Sequence, residues 1–597
     1  MYRICEGFSM AVLSFSNEHE AGASIVVNGK IIAAINEERL TRVKNQDGFP
    51  EKSINEVLKM ANLSPEDITD VIIPEISKVK DLFSNVFRHF PKELFTKGKG
   101  KLPRFSDIVR HFLMTNFILL KGYAQSLVTH RRDEKRLKKI FPKAKFHRVE
   151  HHVTHAASAF FTSGYDKSLI ITADYWGDFV TTMLSIGDGK KITPVAKSYY
   201  PASLGHYYAS VTKWLGFRAN RHEGKILGLA AYGNPNSPAY EMIKDILECD
   251  GLTIKAPFMI GKLWHHKARI LKKNCMMQKM IEQYSREDIS AVFQRRFEEV
   301  ITDLVRNAVK QFKIENIVLA GGSFSNVKLN QRIFEVDGIE RIFIFPNMTD
   351  GGIASGAALF YDINQNGSYG TTLDHVYFGP GFVDDEIETE LKKHNLNYER
   401  YDNIEKKIAE LLAEEHVIAR FNGKMEYGPR ALGNRSILYQ ATDQTVNDWL
   451  NKKLQRTEFM PFAPVTLKEY AEDCYINLKG AEYPARFMTI TFDCTDYMKK
   501  VSPATVHVDG TARPQLIEEK ENPSYYNILK EYHKLTGIPT LINTSFNMHE
   551  EPIVCTPNDA IRSFLQGHLE YLAIGNFLVK HQAGEKHVPG ERESIPN

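Results

Sequence analysis

Cysteine is scarce, with six in 597 residues. Cys5, Cys249, Cys275, Cys474, Cys494 and Cys555 are scattered and form no CxxC pair, which excludes a disulfide scaffold and points to a reducing, cytoplasmic setting. Charge imbalance is missing too: 76 Lys and Arg against 73 Asp and Glu leave a net +3, too little to suggest DNA wrapping or a basic membrane anchor. Long apolar runs are also absent. The most apolar stretch, 112–120, is broken by Thr115 and Asn116 and falls short of the roughly 20 residues a spanning helix needs, so no membrane role is expected. The first residues carry Arg3 and Glu6 and no small-residue cleavage pattern, so no signal peptide is expected.

What remains is ordinary globular material, 43% hydrophobic and 25% charged, in a chain long enough for several domains or two large ones. Residues 23–35 set Asn28-Gly29 between two β-prone runs, the signature of a hairpin. Residues 181–192 do the same around Asp188-Gly189, following a strand at 168–174. Hairpins are common, but a strand-hairpin unit occurring twice suggests two similar sheet lobes facing a cleft. Between the repeats, 78–145 reads as a helical insertion whose charged run RRDEKRLKK (131–139) faces water, with acceptor recognition by this segment as the alternative. The polar stretch NQNGSYG (364–370) separates domains at 1–365 and 371–597, and 587–597 reads as a loose tail.

The chemistry-bearing residues fall into two groups. HHVTH (151–155) opens an Ala-rich helix and puts His151 and His155 one turn apart on one face, a spacing that can chelate an ion. Histidines at this spacing more often satisfy caps and surfaces, but Asp174 at the end of an apolar strand and Asp350 at the start of a small-residue helix add two carboxylates. A His2Asp2 set suits iron, zinc or manganese. The turn GGSFSN (321–326) follows a buried strand and offers backbone N–H groups to a nucleotide, without a Walker lysine. In the second half, GKMEYGPRALGNRS (423–436), RTEFMPFAP (456–464), DGTAR (509–513) and NTSFN (543–547) place arginines and amides beside rigid turns, where they can grip phosphate and line an oxyanion pocket.

NEERLTRVK (36–44), HHVTHAAS (151–158), EGKILGLAAYG (223–233), EYGPRALGNR (426–435) and NTSFN (543–547) together resemble the NodU-type carbamoyltransferases along nearly the whole chain. The resemblance implies an α/β protein: an N-terminal duplicated actin-like (ASKHA, ribonuclease-H-like) domain and a C-terminal YrdC-like α/β domain. It implies an ATP-dependent O-carbamoyltransferase that combines carbamoyl phosphate and ATP into carbamoyladenylate in the C-terminal domain. The carbamoyl group would then pass to a hydroxyl of a small-molecule acceptor, a natural product or sugar, in the N-terminal domain. Positions matching the family's phosphate and carbamoyl contacts are Arg430, Arg435, Arg456, Arg513, Asn543, Ser545 and Asn547. Those matching its metal ligands are His151, His155, Asp174 and Asp350, with iron(II) the expected ion and magnesium accompanying ATP. Lys44, Gly321, Gly322, Ser323 and Asn326 match nucleotide contacts. His19, in NEHEAGA (17–23), matches the position of a catalytic histidine near the acceptor and would take the alcohol proton.

The chain departs from many relatives at Tyr175, Trp176 and Asp178, where a glycine and later a glutamate are usual, at Thr457 and Met460, which replace a charged pair, and at Glu550, where glycine is common. Two other readings stand beside this one: a tRNA threonylcarbamoyl-type modification enzyme, and a noncatalytic nucleotide-binding scaffold. Nucleic acid is not an expected partner, and the acceptor and the oligomeric state are left open.

Overall fold

The computed structural model describes residues 11–75, 129, 131–256, 276–456, 459–588 and 590. The chain divides into two compact units. One comprises Met1–Phe15, Val26–Lys30 and Leu63–Thr372; the other gathers Ser16–Ile25 and Ile31–Asn62 with Leu373–Asn597.

The repeat sensed in the sequence is a repeat of topology. One five-stranded sheet runs in the order Lys30–Asn36, Gly22–Val27, Ala11–Ser16, Ile68–Ile73, Lys145–Arg148. A second runs Lys191–Tyr199, Val180–Asp188, Lys167–Gly177, Asn316–Ala320, Arg341–Ile344. Numbered along the chain within each sheet, both read 3-2-1-4-5, and in both the first strand pairs parallel with the fourth and the fourth with the fifth. This twice-built order is the duplicated actin-like, ribonuclease-H-like arrangement. The first hairpin turns at Asn28 (φ 50°) and Gly29 (φ 74°), where two left-handed residues match the twist of the strands. Gly29 donates its N–H to Asp362 at 2.5 Å, and a β-carbon there would lie 2.0 Å from the Tyr369 carbonyl oxygen.

The helix His151–Ser163 is buried on every side except at Val153, as its Ala- and Phe-rich composition requires. Glu150 caps it, its carboxylate accepting the Val153 N–H at 2.8 Å. The small-residue helix Ile353–Gln365 packs against it so closely that a β-carbon on Gly356 would sit 1.9 Å from the Thr154 carbonyl oxygen. Gly356→Val is therefore expected to force the two helices apart at a cost of about 3 kcal/mol or more. The check is a lower unfolding temperature in a melting curve.

The C-terminal unit is built on an eight-stranded mixed sheet. Adjacent residues of its strands face opposite cores: Ala419, Ile437, Ile542 and Leu572 join one, and Ile418, Leu438, Leu541 and Ala573 the other. Helices Ile404–Ala413 and Pro523–Thr536 cover the second core, and Val446–Lys453 and Pro557–Gln566 the first.

Most of the expected insertion at 78–145 lies outside the described residues. Its charged run is helical over 131–140, with Asp133 and Leu137 buried one turn apart and the lysines exposed, so the run does face water. The expected loose tail starts too early. The His587 side chain is 1% exposed and lies against Trp449 and Tyr439, its Nε2 3.1 Å from Asp443. His587, read as the start of the loose tail, is held because its ring fills an apolar slot while its nitrogen meets a carboxylate. Among the described residues no helix is long and apolar enough to cross a membrane.

Candidate functional site

In the N-terminal unit, four side chains separated by up to 199 positions converge, as the difference between 151 and 350 gives. One ligand atom from each of His151, His155, Asp174 and Asp350 lies within 4.8 Å of all the others. The helix start supplies both histidines, and the strand Lys167–Gly177 supplies Asp174 just past Ala173, where its pairing becomes irregular. A single turn, Asp350–Gly352, supplies the last carboxylate ahead of the small-residue helix. His155 Nε2 lies 3.2 Å from Asp174 Oδ2 and 3.3 Å from Asp350 Oδ1, and His151 Nε2 lies 3.5 Å from Asp350 Oδ1.

The electrostatics show a site short of positive charge. Burial raises Asp350 to about 7, and the neighbouring Asp174 charge adds to that rise. Burial opposes ionisation of Asp174 too, but the His155 hydrogen bond holds its carboxyl well below the ordinary range. Burial also works against a charged His155, yet hydrogen bonds to both aspartates keep it up at about 9. Burial, reinforced by His155, drives His151 down to about 3, and its buried Nε2 has no hydrogen-bond partner. A neutral imidazole with an orphaned nitrogen beside two carboxylates is the donor set of a divalent cation site, and these residues fit one. His152, between the two ligands in sequence, turns away and is satisfied by Thr172 Oγ1 at 2.8 Å and the Val180 carbonyl at 3.0 Å.

The glycine turn abuts this cluster. Gly321, at φ 105°, packs where a β-carbon would meet the Ala173 carbonyl at 2.3 Å, and Gly322 donates its N–H to Asp174 Oδ2 at 3.3 Å. Ser323 Oγ is buried and unpartnered. Asn326 has a structural duty: its Oδ1 caps the helix Val327–Phe334 by accepting the Leu329 N–H, and its amide meets Gln294. Lys44 and His19 belong to the other unit. Lys44 is exposed, and His19, also exposed, has its Nε2 3.1 Å from the Asn45 amide.

The same unit holds the arginine-rich loops. Arg430 is half-buried, and desolvation alone pushes its guanidinium down to about 10. Among the described residues no carboxylate pairs with it, and its Nε has no acceptor. Its neighbour Ala431 accepts a hydrogen bond from the Asn543 amide at 3.2 Å, while Asn543 Oδ1 is buried without a donor. Arg456 donates to Thr544 Oγ1 at 3.0 Å, to the Ser545 carbonyl at 2.7 Å and to the Asn547 carbonyl at 2.7 Å, so it docks onto the end of the strand Thr540–Ser545. Arg513 follows the short strand Thr511–Ala512.

Two of the expected contacts are built into the scaffold. Arg435 is fully buried and donates to the carbonyls of Asn422, Asn434, Gly423 and Pro380. Asn547 gives its amide to the carbonyls of Met548 and Glu551. Sequence reasoning missed what shapes the loop: Glu426, whose Oε1 accepts the N–H groups of Leu432, Asn434 and Arg435. The only signal was an acidic residue inside a glycine-rich loop. It also missed Arg39 and Arg42, which donate to the carbonyls of Gly428 and of Pro552 and Ile553, respectively. Glu550 stands at φ 62°, which explains why glycine suits that position. Thr457 lies outside the described residues. A cleft of about 340 Å³ opens beside the Glu426 loop, lined by His375, Tyr377, Lys424, Asn434, Glu521 and Asn522 among others, and by none of the expected phosphate contacts.

Comparison with known proteins decides the family. Residues 12–359 match the description Carbamoyltransferase N-terminus, and residues 409–581 match Carbamoyltransferase C-terminus. The chain belongs to the carbamoyltransferase family. It is 31% identical to Nodulation protein NolNO of Sinorhizobium fredii over 94% of this chain and 79% of that protein. It is 32% identical to the uncharacterized protein MJ1058 of Methanocaldococcus jannaschii over 94% of this chain and 98% of that one. Among solved structures, full-length HypF in its phosphate- and nucleotide-bound form aligns at 14% identity and a TM-score of 0.32, covering 61% of this chain and 48% of that one. As a carbamoyltransferase, this protein is an enzyme.

Proposed function

We propose that this carbamoyltransferase is ATP-dependent: its C-terminal unit forms carbamoyladenylate from carbamoyl phosphate and ATP, and its N-terminal unit delivers the carbamoyl group to an acceptor hydroxyl. The observation that carries the reading is Arg430, a desolvated guanidinium that no carboxylate among the described residues offsets. An uncompensated cation of this kind is costly unless an anion completes it. The buried, donor-less Asn543 Oδ1, on the residue that hydrogen-bonds Ala431, supplies the complementary need, an N–H group. An anionic phosphate joined to an amide NH2 answers both, and carbamoyl phosphate is that combination. Ser545, whose hydroxyl accepts from Arg456 at 3.3 Å, would donate its O–H to one of the remaining oxygens.

In the N-terminal unit, His151, His155, Asp174 and Asp350 would hold the cation, iron(II) on the family resemblance. When bound it supplies Lewis-acid stabilisation of negative charge on a phosphate or carbonyl oxygen. The chain's own residues do the rest. The unpartnered Ser323 hydroxyl beside the Gly321-Gly322 turn would meet a nucleotide's phosphates or ribose, and the buried wall of the helix His151–Ser163 excludes water from a mixed anhydride that water would destroy.

Stripping the metal is expected to separate the two halves of the reaction. Protein dialysed against a chelator should still release pyrophosphate when given ATP and carbamoyl phosphate, while carbamoylation of an acceptor panel falls to background and returns on adding iron(II) anaerobically. If pyrophosphate release never depends on carbamoyl phosphate, the reading fails.

A further inference from the structure

The backbone from Asp174 to Phe179 grips the four-residue cluster at three points. Asp174 belongs to it. Gly177 lies against the His151 imidazole, where a β-carbon would sit 2.0 Å from Cδ2. The Asp178 carboxylate accepts the His151 backbone N–H at 2.9 Å. Strand pairing is irregular between Ala173 and Gly177, and Asp178 and Phe179 follow at φ 48° and 67°. Residues other than glycine hold such values at a cost of about 1–3 kcal/mol each, and strain of this kind collects where a ligand is clamped.

The side chains this segment displays are aromatic. Tyr175 stacks on His206 with ring centres 5.2 Å apart, and Tyr200 stacks on the same imidazole at 5.7 Å with planes 3° apart. Trp176 lies 5.3 Å from Tyr200 and 6.3 Å from Phe179. Tyr200 is buried, whereas Tyr175, Trp176 and Phe179 are half-buried around it. The cluster is bolted in place. The Ser203 hydroxyl donates to the Tyr175 carbonyl at 2.7 Å, and the Tyr200 N–H donates to the Phe179 carbonyl at 3.2 Å. A β-carbon on Gly205 would lie 2.7 Å from the Tyr175 backbone nitrogen. His206 Nδ1 is buried with no hydrogen-bond partner among the described residues, and burial pushes the ring down to about 4.

We propose that Tyr175, Trp176, Phe179, Tyr200 and His206 form the platform on which the acceptor lies beside the metal cluster, and that the platform selects a neutral ring bearing a hydroxyl and a flat C–H or π face. The platform rests on the carbamoyl-transfer reading above. Aromatic faces with polar tips bind such rings edge-on or stacked, and His206 Nδ1 provides one hydrogen bond to a ring hydroxyl. The five side chains carry no charge, so a charged acceptor would lose its hydration against them with no ion pair from the platform itself in return. A sugar ring and a planar aromatic alcohol share this chemistry.

The test is calorimetric titration of the full-length wild type, Trp176→Ala and Trp176→Phe with cellobiose, with its monocarboxylic uronic acid counterpart and with 2-naphthalenemethanol, in the absence of ATP and carbamoyl phosphate. At least one neutral compound is expected to bind, to weaken about tenfold or more in Trp176→Ala and to recover in Trp176→Phe. The uronic acid should bind about tenfold more weakly than cellobiose. Binding of cellobiose alone assigns a sugar ring, and of the naphthyl alcohol alone an aromatic one. Wild-type metal content in both variants verifies the fold. The proposal is overturned if neither neutral compound binds, if Trp176→Ala binds as wild type does, or if the uronic acid equals cellobiose. Because binding is read without the activated carbamoyl group, failure of the carbamoyladenylate reading leaves this result standing, and loss of Trp176 dependence leaves that reading standing.

Discussion

Replacing Arg430 with alanine should lower carbamoyl-phosphate-dependent pyrophosphate release by about 100-fold or more, with little change in thermal stability. The magnitude follows from removing one preorganised cation at a desolvated anion site, about 3–4 kcal/mol of differential stabilisation. The stability expectation follows from the local structure: no carboxylate among the described residues depends on Arg430, so none of them loses a partner. Arg435→Ala makes the contrast. Its guanidinium holds the carbonyls of Asn422, Asn434, Gly423 and Pro380, so its loss should lower the unfolding temperature and the activity together. Lysine at 430 should restore only part of the activity, because an ammonium cannot present the planar fork. The measurement is a coupled pyrophosphate assay alongside a melting curve. Equal melting and equal activity for Arg430→Ala and the wild type would remove the C-terminal half of the mechanism.

His155→Ala should have the complementary effect. His155 lies within 3.3 Å of both aspartates, closer to each than His151, whose Nε2 is 4.0 Å from Asp174 and 3.5 Å from Asp350. Its removal leaves two carboxylates facing each other, one of them already raised to about 7 by burial and by the other's charge. Bound metal, read by elemental analysis, should fall below stoichiometric, and carbamoylation of any acceptor should drop by about 100-fold or more. Pyrophosphate release should persist, since the residues proposed for it lie in the other unit. Parallel loss of both activities would mean that one site performs both steps.

Local patterns were readable where they rest on local rules. Asn28-Gly29 marked a hairpin because a two-residue turn of the right hand needs left-handed residues, and both adopt them. The histidines at 151 and 155 share a face because the helix repeats every 3.6 residues. The duplication showed only as a faint echo of two hairpins, since strand order depends on which distant segments pair. Long-range roles were invisible for the same reason. Nothing near Arg435 announced that four carbonyls would enclose it, nothing near Asn326 that it would cap a helix, and nothing near His587 that its ring would fill a slot beside Trp449.

The amino-acid order alone carries the family, the pairing of a HxxxH helix with two aspartates, and the arginine- and amide-bearing loops, because these are patterns of residue type at short spacing. Tertiary packing chose among them. It brought His151 and Asp350 within 3.5 Å, left Arg430 without a counter-ion among the described residues while surrounding Arg435 with carbonyls, and set Gly177, in the aromatic-bearing segment after Asp174, against the His151 ring. The reason is physical: whether a buried charge or ring is satisfied depends on groups hundreds of residues away, and only the folded chain puts those groups beside it.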